Sequence, residues 1–368
     1  MKTPRIALVH DWLTGMRGGE KCLEVLCELY PDAPIYTLLS IEGTMSDRIA
    51  SHPIHTSFIQ HLPRVARNYR SYLPLFPAAI ASLDLSDYDV VVSTSHCVAK
   101  GARVRPGGLH VCYCHTPMRY VWEMYDEYFG PGKAGLLTRT AMALVRPYLQ
   151  AWDVRTASRV HHYIANSENV RRRIQVHYGR DAEVIFPPVD TAHFALAPDA
   201  GSYYLIVSAL VPYKKVDLAV RVFNELGRRL VIVGKGPEEE KLKAMAGSTV
   251  ELLGWRSDEE LKGLYAGCRA LIFPGEEDFG IVPLEAMASG RPVVAYAKGG
   301  ALETVVEGQT GTFFHEQTDE ALADALARLD AMTMEPEAIR GHALAFSRER
   351  YKREMRDVIE RRIASHSF

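Results

Sequence analysis

Two glutamates flank a predicted helix start within one short stretch of the sequence. Glu277 lies in an acidic loop after the apolar run 271–273, and Glu285 follows it within nine residues of sequence, 277–285. N–H groups at a helix start attract phosphate, and ionised carboxylates accept hydrogen bonds from sugar hydroxyls. Position therefore favours recognition of a phosphorylated sugar or ribose over paired acid and base catalysis. The alternative is that the helix dipole simply favours carboxylates near a helix start, which explains Glu285 but not the acidic loop.

Further candidate residues follow other predicted strands in the second half of the sequence. Lys214 would offer a point charge to a diphosphate, unless it forms with Lys215 a solvated charge pair before a helix. Gly234 begins a tight turn that a ligand can approach. Trp255 would cover a base or a sugar, or else pack in the core.

The first half of the sequence carries a glycine-rich loop and a well-placed histidine. The loop at 14–21 includes Gly18 and Gly19 but lacks the second glycine and the Ser or Thr of a P-loop. It is also not GxGxxG, so neither an NTPase nor an NAD-dependent enzyme is predicted, and a structural turn and a phosphate loop both stay open. His115 ends a predicted strand. Asp87 and Asp89 have metal-binding DxD spacing but precede a strand, so we predict a plain loop and no required metal.

The elements that would position these residues alternate along the whole chain. Short apolar runs followed by helical patterns predict an α/β protein with two doubly wound, Rossmann-like domains that face each other across a cleft. Pro283 is expected at the first position of a helix and Gly290 just beyond its end. The linker is expected at 193–202. The predicted domains are residues 1–198, on which a C-terminal helix within 347–368 packs back, and residues 199–346.

Composition limits the classes of protein that fit. The chain has 368 residues, 47% of them hydrophobic, and a net charge of −2, so the overall charge points to no partner. Its six cysteines lack metal spacing, which favours reduced, buried thiols in a cytosolic protein. No apolar run reaches the ~18 residues of a spanning helix. The run 6–9 is too short for a signal peptide. We therefore expect a soluble or surface-bound protein.

Two segments carry an excess of basic residues. Residues 130–180 contain nine basic side chains against two acids, and residues 51–83 contain three arginines and no acid. Peripheral binding to an anionic membrane and ordinary solvated helix faces both stay open. Nucleic acid is not a predicted partner, because no recognised binding motif accompanies the arginines. The nine basic residues are Lys133, Arg139, Arg146, Arg155, Arg159, Arg171, Arg172, Arg173 and Arg180.

With these motifs assembled, most of the chain resembles glycosyltransferase family 4, the retaining transferases of the GT-B fold. Within that family it resembles bacterial mannosyltransferases of O-antigen and exopolysaccharide assembly. The most specific match is 277–285, EDFGIVPLE, which has the family's E-x7-E spacing. Supporting matches are the loop with Gly18 and Gly19, CHTPMRY at Cys114, NSENV at Asn166, PPVD at Pro187, LVPYK at Leu210, GKGP at Gly234 and LGW at Leu253.

The resemblance implies roles for individual residues. Glu285 would hold the donor ribose and Glu277 the hydroxyls of the transferred sugar. Lys214 would stabilise the leaving diphosphate, and His115 would touch the donor sugar near the reacting carbon. The family usually has arginine where this chain has Ala209. The other implied donor-binding residues are Gly18, Gly19, Gly234, Trp255, Phe279, Gly280, Ile281 and Val282.

The activity that the resemblance implies is transfer of a sugar, with GDP-mannose as the preferred donor. The acceptor would be a glycan or a polyprenyl-diphosphate-linked sugar, and no cofactor or metal would be required. The protein would act in the cytoplasm or at the inner face of the plasma membrane. A sugar-nucleotide epimerase, a sugar phosphorylase and a non-catalytic nucleotide-sugar-binding subunit are the alternatives, and Ala209 favours the last.

Overall fold

The computed structural model describes residues 4–131, 135–197 and 201–368. The chain forms two compact units, and the described part of the predicted linker belongs to the second. Lys133 and the predicted domain change at 198–199 lie outside the described residues. The first unit is Met1–Pro187 with Tyr351–Phe368, and the second is Pro188–Arg350.

A seven-stranded parallel sheet forms the centre of the first unit. Its strands are β1 (Ile6–His10), β2 (Ile35–Thr37), β3 (Ile54–Thr56), β4 (Val90–Ser95), β5 (Leu109–Cys114), β6 (His162–Ala165) and β7 (Ala182–Val184). The order across the sheet is β3-β2-β1-β4-β5-β6-β7. Leu8 lies in register between Ile35 and Val92. The direction of winding reverses between β1 and β4, which makes the carboxyl ends of these strands the expected ligand position in this sheet.

Helices cover both faces of this sheet. They are α1 (Gly18–Leu29), α2 (Asp47–Ala50), α3 (Val65–Asn68), α4 (Phe76–Ala81), α5 (Tyr125–Phe129), α6 (Leu136–Ala157) and α7 (Glu168–Tyr178), with 3-10 turns at Phe58–His61, Tyr69–Leu75 and Ala99–Gly101. Successive residues of a strand point to opposite faces. Val91 accordingly packs in one core with Phe76 of α4 and Trp152 of α6. Val92 packs in the opposite core with Leu23 of α1.

The second unit repeats this winding in a six-stranded parallel sheet. Its strands are β8 (Tyr203–Val207), β9 (Leu230–Val233), β10 (Val250–Gly254), β11 (Cys268–Phe273), β12 (Val293–Tyr296) and β13 (Gly311–Phe314). The order is β10-β9-β8-β11-β12-β13, so the winding reverses between β8 and β11. The predicted parallel α/β architecture is thus confirmed in each unit.

The helices of the second unit also flank its sheet. They are α8 (Val216–Leu226), α9 (Glu239–Met245), α10 (Asp258–Gly267), α11 (Ile281–Ala288), α12 (Ala301–Thr304), α13 (Asp319–Ala331) and α14 (Pro336–Leu344), with a 3-10 turn at Pro212–Lys214. Phe223 of α8 and Leu326 of α13 pack in one core with Ile206 and Ile272 of the sheet. Burial of these apolar side chains is the main force that holds the layers together.

The last helix, α15 (Arg348–Ser365), returns to the first unit, as predicted. Tyr351, Met355 and Ile359 are fully buried in the same core as α1. The ring of Tyr351 lies edge-on to that of Tyr113 of β5, with 5.4 Å between centroids. The helical spacing of its apolar residues was the signal for this packing.

Two expectations about helices need correction. Helix α11 begins at Ile281, so Pro283 is its third residue and not its first. The proline is tolerated there because N–H groups of the first turn have no partner within the helix. The second correction is helix α6, which is 22 residues long although the sequence pattern predicted no helix or strand there. Within the described residues, no helix combines the length and the apolarity that crossing a bilayer requires.

Candidate functional site

In the second unit, Lys214 and Glu277 form an ion pair beside the switch point of the sheet. Lys214 ends the 3-10 turn after β8, and Glu277 lies in the loop after the adjacent strand β11. The Lys214 ammonium contacts a carboxylate oxygen of Glu277, and both side chains are largely shielded from solvent. The turn and the loop approach closely because Gly275 has no side chain: a Cβ there would lie 2.7 Å from Cα of Lys214. The predicted cation and the predicted sugar-binding acid are therefore one charged pair.

The start of α11 lies on the same loop. Gly280 precedes the helix with φ +89°, a left-handed conformation that favours glycine. The loop is held in place by Gly300, whose N–H donates to the carbonyl oxygen of Glu277 at 2.9 Å. The N–H groups of Ile281 and Val282 belong to the first helical turn, where they can face an anion. The geometry thus presents a lysine and a helix N-terminus at one place.

Glu285 is held by a residue that sequence reasoning missed. It is the fifth residue of α11, is 9% exposed, and accepts a hydrogen bond from the hydroxyl of Tyr265 at 2.8 Å. Tyr265 is fully buried and packs edge-on against Phe194. Burial and the charge of Glu285 raise the pKa of this tyrosine well above its usual value, so it stays a donor. A buried tyrosine hydroxyl usually has a hydrogen-bond partner, but the sequence did not show which residue would be the partner of Tyr265.

The loops that follow β8, β9 and β10 lie close to one another at the carboxyl edge of the same sheet. Gly234 has φ +142° and packs so tightly against Ser208 that no side chain would fit. Its N–H donates to the carbonyl oxygen of Gly254 at 2.9 Å. The neighbouring Trp255 is 65% exposed, so the alternative that it packs in the core is wrong. Its contact with a base or sugar stays a prediction.

In the first unit, the glycine-rich loop and His115 also come together. Helix α1 begins at Gly18, and a Cβ on Gly19 would lie 3.5 Å from Nε2 of His115 and 3.6 Å from the ring of His10. His10 ends β1, and its Nδ1 lies 2.6 Å from Oγ1 of Thr94 at the end of β4. The loop after β1 and the residue that follows β5 therefore lie next to each other within this unit.

His115 is neutral in the folded protein. Burial lowers its pKa to about 3, and the neighbouring His96 and His10 act in the same direction. Its Nε2 is buried and has no hydrogen-bond partner among the described residues. A neutral imidazole can donate or accept one hydrogen bond at that nitrogen, depending on the tautomer. The arrangement fits contact with a hydroxyl better than contact with a phosphate.

Asp11 organises the loop that follows β4, and sequence reasoning did not identify it. Its two carboxylate oxygens accept the N–H groups of four successive residues at 2.6–3.0 Å. The first of them, His96, also places Nδ1 at 3.1 Å from the same carboxylate. Burial lowers the pKa of His96. Glu20, also missed, lies 3.8 Å from Nε2 of His10.

A metal site is not formed by the residues that the structure describes, since none of their His, Cys, Asp and Glu clusters could hold an ion. Asp89 instead pairs with Arg105 at 2.6 Å and accepts the backbone N–H of Arg5. The loop that carries the DxD spacing is therefore held by contacts within the first unit.

Two family models match adjacent parts of the chain. The family described as Glycosyltransferase Family 4 matches residues 36–193. The family described as Glycosyl transferases group 1 matches residues 190–340 and includes the ion pair and helix α11. Together they extend over most of both units.

Individual proteins are similar over part of their length. Glycogen synthase from Pseudomonas syringae pv. tomato is 28% identical over 61% of this chain and 48% of its own. The GDP-mannose-dependent alpha-(1-6)-phosphatidylinositol monomannoside mannosyltransferase from Mycolicibacterium smegmatis is 36% identical over 44% of this chain and 51% of its own. This chain thus spans about half the length of the curated relatives it matches. The crystal structure of Anabaena HepE with UDP and glucose superposes with a TM-score of 0.69 at 19% identity, over 99% of this chain and all of that one.

Proposed function

This chain belongs to glycosyltransferase family 4 and has its GT-B fold, and on that premise we propose that it is a retaining glycosyltransferase. It transfers a sugar from a nucleotide-sugar donor to a lipid-linked or polysaccharide acceptor. The observation that carries the proposal is the Lys214–Glu277 pair beside the α11 N-terminus. The cation and the helix start at this sheet edge suit the diphosphate of a nucleotide sugar, and the carboxylate suits the hydroxyls of its sugar.

The leaving group sets the electrostatic demand of the reaction. The bond between the anomeric carbon and the donor phosphate breaks, and negative charge grows on the nucleoside diphosphate. The acceptor hydroxyl forms the new glycosidic bond and passes its proton to that phosphate. Preorganised positive groups aimed at developing charge give large rate gains. Lys214 and the N–H groups of Ile281 and Val282 supply them, so the proposed reaction requires no metal.

The carboxylates recognise hydroxyl groups in this proposal. Glu285, fixed by Tyr265, accepts hydrogen bonds from the two ribose hydroxyls. Glu277 contacts the hydroxyls of the transferred sugar and keeps the ammonium of Lys214 directed toward the same place. In the first unit, neutral His115 contacts a sugar hydroxyl, and the backbone of Gly19 approaches the diphosphate.

The donor that we propose is GDP-mannose. The relative with the highest identity given above, 36%, is described as GDP-mannose-dependent and as acting on phosphatidylinositol monomannoside, a lipid-linked glycan. That description also supports a lipid-linked acceptor, which would place the reaction in the cytoplasm at a membrane surface. Gly234 and Trp255 frame the base in this proposal, through the backbone and through an exposed indole.

One experiment tests the activity and the donor together. Purified protein is offered GDP-mannose, UDP-glucose and other nucleotide sugars, each with and without a bacterial membrane extract, and release of nucleoside diphosphate is followed. We expect release from GDP-mannose that depends on the extract. Release without acceptor would indicate hydrolysis, and conversion of the donor without release would indicate an epimerase. Absence of release from every donor would overturn the proposal.

Ala209 supports one second candidate, a nucleotide-sugar-binding subunit without transferase activity. The alanine is exposed at the turn before Lys214, where the family usually has a second cation. Fewer positive charges would hold a diphosphate more weakly and stabilise its departure less. Measurable binding of GDP-mannose by calorimetry, without turnover on any acceptor, would favour this candidate.

A further inference from the structure

Helix α6 exposes an apolar stripe on its outer face. Leu137 is 88% exposed and Leu144 is 77% exposed, and Ala141 and Tyr148 continue the same line at helical spacing. The inner face is also apolar, because Met142, Leu149 and Trp152 are buried in the core. A helix on a protein surface normally turns polar residues outward. The outer face of α6 therefore suits contact with another apolar surface better than contact with water.

The charged residues of α6 indicate what kind of surface its outer face would contact. Its one acid, Asp153, is fully buried and pairs with the buried Lys100 at 3.1 Å. Arg155 is exposed and Arg139 half-buried, and neither forms an ion pair with a residue that the structure describes. Arg155 lies about five turns beyond Leu137 on the same line of the helix, so the accessible outer face joins leucines and an arginine with no carboxylate.

The segment 58–75 has the same combination of exposed apolar and basic side chains. Tyr69 and Leu73 pack in the same core as Met142 of α6, so the segment covers the same face of the sheet. Phe58 and Leu75 are each 42% exposed. Its exposed arginines, Arg64, Arg67 and Arg70, stand in a stretch without acids.

We propose that the outer face of α6, together with the segment 58–75, docks on the surface of an anionic phospholipid bilayer. Leucine and tyrosine side chains of a helix in the plane of the interface enter the boundary between headgroups and acyl chains. Arginines beside them reach phosphate groups through their long stems. A second copy of this chain fits less well, since a symmetric contact would bring this acid-free, arginine-bearing surface against itself.

The first test measures binding of the whole chain to vesicles by sedimentation. We expect binding to phosphatidylcholine vesicles that contain phosphatidylglycerol, weaker binding to phosphatidylcholine alone, and loss of the difference at high salt. Absence of binding to the anionic vesicles at low salt would overturn the proposal.

Matched variants locate the surface. The double variant Leu137→Ser/Leu144→Ser should lower the vesicle partition coefficient about tenfold or more, because two leucines no longer enter the membrane. Its control, Leu226→Ser/Leu344→Ser, removes two exposed leucines from the second unit and should bind as the parent does. Each of the four side chains is more than a third exposed, so both double variants should fold, which cooperative thermal unfolding checks. Equal loss of binding in both double variants would refute this location.

The arginines have a control of equal charge. Arg67→Gln/Arg155→Gln should weaken binding to anionic vesicles about 25-fold, as each cation near the surface contributes about fivefold. Arg353→Gln/Arg356→Gln changes two exposed arginines of α15 and should have a much smaller effect. If both double variants weaken binding alike, net charge and not this surface causes the attraction.

A labelled cysteine reports insertion directly. The six native cysteines are buried, so Leu144→Cys gives one accessible thiol for an environment-sensitive dye. The dye at residue 144 should shift to the blue with anionic vesicles, and a dye on Arg353→Cys should not. Sedimentation equilibrium without lipid tests the other occupant. If the chain forms a dimer that Leu137→Ser/Leu144→Ser dissociates, and the dye shows no blue shift with vesicles, then this surface binds a second copy of the chain and not a membrane.

Discussion

The switch points of the two sheets carry different chemistry. At β8 and β11 the second unit places an ion pair, Lys214 with Glu277, beside a helix N-terminus. At β1 and β4 the first unit places His10 and Thr94, and His115, which follows β5, lies near them and is kept neutral by burial. Similar winding therefore supports a charged site in one unit and a mostly hydrogen-bonding site in the other. In the proposed reaction, Lys214 of the charged site stabilises the leaving diphosphate, and the neutral His115 of the first unit contacts a sugar hydroxyl.

The largest effect should come from removing the cation of the charged site. Lys214→Ala should lower the turnover number about 10²–10³-fold, as loss of one preorganised group at a developing negative charge typically does. Steady-state release of GDP from GDP-mannose measures it. The control Lys243→Ala removes an exposed lysine of α9 that pairs with Glu239, and should leave turnover unchanged. Turnover of Lys214→Ala within a few-fold of the parent would break the comparison, because the charge would then not matter.

A smaller loss is expected at the ribose position. Glu285→Gln should raise the dissociation constant of GDP-mannose about tenfold to a hundredfold, because hydrogen bonds to a charged acceptor are strong. Isothermal titration calorimetry measures it, with the exposed Glu320→Gln of α13 as control. Unchanged affinity for Glu285→Gln would remove this residue from the donor site.

The neutrality of the other site can be read from stability. The pKa of His115 is near 3 in the folded protein and about 6.5 in the unfolded chain. The unfolded state therefore binds more protons between these values, and stability falls as the pH is lowered from 6.5. The loss from this group should be about 1.4 kcal/mol per pH unit. Urea unfolding at several pH values should show a shallower acid dependence for His115→Gln, and an unchanged slope would contradict a neutral imidazole.

The smallest effect concerns the residue that positions Glu285. Tyr265→Phe removes only the hydroxyl, so affinity for GDP-mannose should fall about fivefold while turnover at saturating donor stays the same. The split between the Michaelis constant and turnover distinguishes positioning from a general loss of structure. A fall in turnover with unchanged affinity would show that Tyr265 does not act through Glu285.

The same comparison explains what the sequence could predict. The charged site depends on a nearly continuous stretch, 277–285, together with one lysine that follows a strand, so local spacing is informative. The site of the first unit combines His10 at the end of β1 with Thr94 and His96 at the end of β4. These strands are far apart in the sequence, and only the order of strands in the sheet brings the residues together. The parallel α/β architecture followed from alternating patterns. Helix α6 did not, because its exposed face is as apolar as its buried one.

The return of α15 to the first unit has a consequence for synthesis on the ribosome. Tyr351, Met355 and Ile359 complete the core around α1 and β5, yet they are translated after the whole second unit. At about 5–20 residues per second, the nascent first unit waits on the order of ten seconds or more with one apolar face uncovered. Assembly of the first unit is thus coupled to the translation of α15, and this interval is when the nascent first unit is most exposed to chaperones and to aggregation.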